Sequence, residues 1–259
     1  MRRGAHPQMN SIVVTSIVFV SILAAGLVGM AVRRAIPSDR LGSSEKEVAR
    51  LVTGLMTTMA AIVLGMLVSS AKASYDARTD EVAEISSQVV TIDRLLSKYG
   101  TETGEIRAQF RLLVEASVNR IWPAQAPVHV ELKPRDEGEI LVDQLRLLAP
   151  KNDPQAEVKA QILRMIVDLR ETQWLLFLKS QQSAIPIPLL LVVVTWLALI
   201  YFSFGVFTQP SSTIIVTLAV GALAVSTAVL IILELYTPFR GVLRISSDPI
   251  LAALSQMGR

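Results

Sequence analysis

The chain has no cysteine, and among its 259 residues only two histidines, His6 and His129. The first absence excludes disulfides and thiol chemistry; the second removes the usual basis of a metal centre or a histidine general base. No nucleophile elbow or phosphate loop occurs, and Asp76 with Asp80 is an i, i+4 pair without a third ligand nearby in sequence. No catalytic residue, cofactor or metal is assigned, and the chain does not read as an enzyme. His129 sits among Pro123, Pro127 and Pro134 and reads as a residue of a surface loop. Charge is scarce too: 18% of residues are charged against 51% hydrophobic, with a net charge of +3. From Ser70 to Ala184, 15 Lys and Arg stand against 17 Asp and Glu, which excludes a nucleic-acid platform.

What the chain does have is long apolar runs. Ser11 to Val32 is 22 residues without a charge, bounded by Arg2 and Arg3 before it and Arg33 and Arg34 after it. Its apolar character continues past Ala24, Ala25 and Gly26, so it reads as an uncleaved first membrane span rather than a secretory signal. Gly26 and Met30, near Gly29, give it a small surface that another helix can approach closely. A second run, Leu51 to Ser70, follows a linker in which Ser44 and Glu47 have capping-box spacing. Third and fourth runs, about Leu189 to Phe207 and Thr213 to Leu235, are joined by the short uncharged turn Thr208 to Ser212 and predict a helical hairpin. Pro186 and Pro188 mark the start of the third.

The second run continues past Ser70, without Gly or Pro, into the amphipathic stretch Ala71 to Lys98. One helix starting in lipid and ending in water is predicted; at 1.5 Å per residue, Leu51 to Lys98 would reach roughly 70 Å. Two stripes mark it. In the apolar part, Gly54, Thr58, Ala61, Gly65 and Ser69 recur at spacings of 4, 3, 4 and 4, so they share one helix face. Small residues there serve tight helix packing, or a water-lined pore face to which Thr58 and Ser69 add hydroxyls. In the amphipathic part, Val82, Ile85, Val89, Ile92 and Leu96 form a heptad-like seam, a candidate for assembly. The charged residues around it, Asp93 and Arg94 included, read as a solvated surface with local ion pairs.

Tyr99 and Gly100 end this helix. Further amphipathic helices are predicted from about Glu102 to Ile121, Glu139 to Leu148 and Pro154 to Ser183. Glu234 is the only acidic residue inside a predicted span; it is either functional or an interfacial acid reaching headgroup water or Arg240. The tail from Tyr236, with a small helix from Pro249 to Met257, is expected at the membrane surface.

The architecture predicted is an all-α integral membrane protein with four transmembrane helices, spans about 11–32, 51–70, 189–207 and 213–235. A helical cytoplasmic bundle is inserted between the second and third. The corresponding divisions are an N-terminal hairpin over 1–70, a soluble helical domain over 71–184, a C-terminal hairpin over 185–235 and a surface tail over 236–259. Near the membrane ends, seven basic residues (Arg2, Arg3, Lys72, Arg78, Lys179, Arg240, Arg244) lie on the side of both termini and the central domain. Five (Arg33, Arg34, Arg40, Lys46, Arg50) lie on the other, so the charge bias places the termini and domain in the cytoplasm.

Several stretches are similar to the bacterial bestrophin-like family of membrane proteins. They are Gly54-Leu55-Met56 through Ala61-Ile62-Val63-Leu64-Gly65 with Ser70-Ala71-Lys72, then Asp93-Arg94, Tyr99-Gly100-Thr101-Glu102-Thr103 and Ile106-Arg107. Ile121-Trp122-Pro123, Phe202-Ser203-Phe204-Gly205, Pro238-Phe239-Arg240-Gly241, Ile245-Ser246 and Asp248-Pro249 continue the likeness to the C-terminus. The chain departs from it at Thr101, where Pro is expected, and at Tyr236-Thr237, where an acidic residue is common. The resemblance implies a bacterial inner-membrane homo-oligomer, pentameric in bestrophins, that passes chloride or other small anions. No bestrophin pore motif maps onto this chain residue by residue, so the small stripe is an inference from spacing. The competing reading is a membrane-anchored scaffold or sensor that assembles, or binds a partner, through its soluble helices.

Overall fold

A computed structural model describes residues 11–35, 43–122, 137–182, 187–237, 239 and 243–257. The loop holding His129, residues 36–42 of the first linker, Pro186 and Arg240 lie outside these residues, whereas Ser44 and Glu47 fall inside the first turns of a helix. The described residues are helical, with no strand: α1 (Ser11–Ala35), α2 (Ser43–Tyr99), a 3₁₀ turn (Thr101–Thr103), α3 (Gly104–Ile121), α4 (Glu137–Leu147), α5 (Asp153–Gln182), α6 (Ile187–Phe207), α7 (Ser212–Leu235) and α8 (Asp248–Gln256). Among the described residues, four helices are long and apolar enough to cross a membrane: α1, α2, α6 and α7. The helix predicted from Leu51 to Lys98 is there as one uninterrupted α2, begun eight residues earlier.

The chain divides into two compact units, and α2 contributes to both. The first unit takes residues 1–75 and 184–243. Each of its helices buries one stripe: Val18, Ile22, Gly26 and Gly29 on α1; Leu190, Val193, Leu197 and Ile200 on α6; Leu218, Ala222 and Val229 on α7. On α2 the buried set is Thr53, Ala60, Leu67 and Ala71, all on one helix face. The sharpest packing constraint lies between α1 and α6. A Cβ on Gly29 would stand 2.2 Å from the Phe202 carbonyl oxygen, and one on Gly205 2.1 Å from that of Gly26. Only glycine permits this approach, and it is how helices associate where lipid supplies no hydrophobic drive between them.

The second unit takes residues 76–183 and 244–259. Its core gathers Val89, Ile92 and Leu96 of α2 with Phe110 of α3, Leu145 of α4, Ile162 of α5 and Leu254 of α8. From Arg244 the tail is part of this helical unit, where α8 buries Ile250, Ala253 and Leu254. Two polar contacts fasten it: Trp122 Nε1 donates to the Ile245 carbonyl (2.9 Å) and Arg111 Nη1 to that of Met257 (3.0 Å).

The end of α2 shows why the chain turns there. Gly100 has φ +136°, a conformation that side chains with a Cβ avoid. The last carbonyls of a helix need donors from outside it. Thr103 Oγ1 lies within donating distance of the carbonyls of Leu96 (2.5 Å) and Gly100 (2.8 Å), and Gln155 Nε2 donates to Tyr99 O (2.9 Å). Gln155 is placed by the start of α5, where its backbone N–H donates to the Asn152 side chain (2.9 Å), an N-cap contact.

Candidate functional site

The membrane part of α2 presents three faces. Thr53, Ala60 and Leu67 point into the chain's own core. At about 100° per residue, the stripe Gly54, Thr58, Ala61, Gly65 and Ser69 lies roughly 135° around the helix from them. All five stripe residues are exposed, and a Cβ built on Gly54 or Gly65 meets nothing within 4 Å. Packing inside the subunit therefore does not account for the stripe. Beside it runs a third face of large apolar side chains, Leu55, Ile62 and Met66, also exposed. Thr58 Oγ1 donates to the Gly54 carbonyl (3.1 Å), which ties down its hydrogen and leaves its oxygen lone pairs facing outward.

The seam of the amphipathic part has the opposite fate. Val82, Val89, Ile92 and Leu96 are buried, and Ile85 packs against the same core. The apolar surface considered for assembly thus forms the inner edge of the chain's own helical unit.

Glu234 lies in the last turn of α7 and is 5% exposed, so it does not reach out to water from this chain. Its Oε2 accepts from the Leu243 N–H at 3.4 Å. That contact belongs to the first unit and ties the segment after α7 back to the helix end.

Asp93 corrects the reading of a solvated charged face. It is 3% exposed, and Arg107 of α3 donates to both of its oxygens, Nε to Oδ1 (2.5 Å) and Nη2 to Oδ2 (2.7 Å). The bond to Asp93 raises the Arg107 pKa above its ordinary value. The pair spans 14 residues and the whole α2–α3 turn, beyond the reach of any i, i+4 rule. Nearby, Lys151 pairs with Glu102, holding the carboxyl below its usual range and the ammonium above its own. Asp93, Gly100, Glu102, Thr103 and Arg107, all within the stretches that carried the family likeness, therefore meet at one junction. Trp122 and Ile245, from two further such stretches, meet at another. Among the described residues no group of His, Asp and Glu could hold a metal ion.

Among the described residues, four helices are of membrane length and apolar, and one of them, α2, continues into the helical unit. The family model of the bestrophin-like domain matches residues 18–250, and the chain belongs to the bestrophin-like family. Membership places it, at the level of the family, with bestrophin-type channels. No curated protein and no solved structure matches the chain.

Proposed function

We propose that the protein is a homo-oligomeric channel of the bacterial inner membrane that passes chloride or other small anions. Copies associate around a central axis in a ring of about five, the number bestrophins use, with the membrane part of α2 facing that axis. Gly54, Thr58, Ala61, Gly65 and Ser69 line the path, and the helical unit and both termini lie in the cytoplasm. The observation that carries this reading is the outward stripe: small, partly hydroxylated, and free of neighbours at Gly54 and Gly65. A membrane helix that packed only against lipid would have no use for two glycines, each about 1 kcal/mol less favourable than alanine in a helix interior. Small residues also leave the width that an aqueous path requires.

The test is halide flux from liposomes reconstituted with the full chain, beside the mass of the detergent-purified assembly. Flux should be present, and Gly65→Leu should reduce it about tenfold or more while the assembly keeps its mass. A protein that passes no halide, or whose flux ignores Gly65→Leu, is not this channel.

A further inference from the structure

α2, α3 and α8 leave an open cleft of about 300 Å³ in the helical unit, lined by Asp93, Arg94, Ser97, Arg107 and Gln256. Its hydrogen-bonding inventory is one-sided. Asp93 is the one carboxylate in the lining, and both its oxygens are occupied by Arg107. A guanidinium carries five N–H donors and a side-on fork uses two, so Arg107 keeps three on its outer edge. Arg94, Ser97 and Gln256 make no hydrogen bond or ion pair among the described residues.

The lining therefore holds two guanidinium groups against one neutralised carboxylate, and its only uncommitted charge is positive. The geometry points to this cleft as a binding site for a small soluble oxyanion, a phosphate- or carboxylate-bearing molecule. Arg94 and the outer edge of Arg107 take its oxygens, and the Ser97 hydroxyl and the Gln256 amide complete the shell. The volume lies at the lower end of the range for small-molecule sites, enough for an organic anion and more than a halide needs. Because Gln256 belongs to α8, the site is complete only when the C-terminal helix is docked, and a bound anion stabilises that docking by mass action. The site is separate from the α2 stripe and does not depend on the channel reading.

The experiment is calorimetric titration of the full chain in detergent micelles with pyrophosphate and, separately, with citrate, in chloride buffer of constant ionic strength. Saturable binding of one equivalent per chain is expected for at least one of them, and which one binds tells phosphate from carboxylate. Arg94→Gln should weaken it tenfold or more and Gln256→Ala several-fold. Arg146→Gln, an exposed arginine on α4, should leave it unchanged. Arg94 and Gln256 are exposed, so these changes leave the core intact, and melting of the ligand-free variants at the wild-type temperature verifies that. No saturable binding of either anion, or equal losses in Arg94→Gln and Arg146→Gln, overturns the site.

Discussion

Gly29 and Gly205 on one hand, and Gly54 and Gly65 on the other, are the same residue in similar apolar helices, and their surroundings differ completely. At the first pair an added Cβ would collide with backbone at 2.2 and 2.1 Å; at the second it would meet nothing within 4 Å. Close helix contact inside the subunit is made by α1 with α6, so the α2 glycines are not needed for it. Their small size has its consequence outside the chain's own core. The lesson concerns small-residue stripes in general. Spacing reveals which face is small, and only the position of the neighbouring helices reveals what that face is for.

The most direct way to break this comparison is to enlarge both sets. Gly29→Ala or Gly205→Ala should destabilise the protein by more than the ~1–3 kcal/mol usual for overpacking, because the obstructing atoms are backbone and cannot rotate away. Detergent-phase melting would read this as a large drop in Tm or in folded yield. Gly65→Leu should not lower Tm, because the position is open and leucine is the better helix former, while it alters flux. Equal losses of Tm at Gly29 and Gly65 would show that the two sets do not differ.

Next in size is the Asp93–Arg107 pair, the charged counterpart of the crowded glycines. Arg107→Met removes the partner and leaves a carboxylate that is 4% exposed without compensation. The usual cost of breaking a buried pair is ~3–5 kcal/mol; with Arg107 itself 24% exposed, about 2–3 is expected here. Adding Asp93→Leu should restore most of the loss, because the cost is that of a stranded charge rather than of a missing attraction. A double variant no more stable than Arg107→Met alone would sink that account.

These contacts also mark how far the sequence could be read. The four membrane-length helices were legible because a backbone in lipid must satisfy itself in long apolar runs, which composition reports directly. The continuous α2 was legible for a related reason: no proline interrupts Ser43 to Tyr99. The Gly26 to Met30 surface of α1 was recognised as a site of close approach, and Phe202 and Gly205 of α6 occupy it. Asp93 was misread because its partner lies across a turn, and helical spacing rules reach no further than i, i+4. The docking of α8 on the helical unit was not legible, because an amphipathic helix of nine residues has the same pattern whether its apolar face meets a membrane surface or a protein core. The seam from Val82 to Leu96 was correctly seen as apolar, yet a heptad does not say whether the helix that covers it belongs to the same chain.

The smallest effects sit at the α2–α3 turn, where they sharpen the contrast between crowded and open glycines. Gly100→Ala should cost about 1–2 kcal/mol, from the positive φ and from a Cβ placed 2.6 Å from Glu102 Oε2. Glu102→Gln should lower Tm by less, because the ion pair with Lys151 is exposed and screened by salt. The sign of its pH dependence follows from the two shifts. The Glu102 pKa is lowered in the folded chain, so its contribution is present above the ordinary carboxylate range and is lost as pH falls through the lowered value. The Lys151 pKa is raised, so its contribution is present below the ordinary lysine range and is lost as pH rises through the raised value. The difference in Tm between wild type and Glu102→Gln should therefore be flat at neutral pH and shrink toward both extremes. Gly100→Ala pushes the same carboxylate away from Lys151, so the double variant should fall short of the sum of the single losses. Strict additivity would mean that Gly100 acts through its backbone conformation alone.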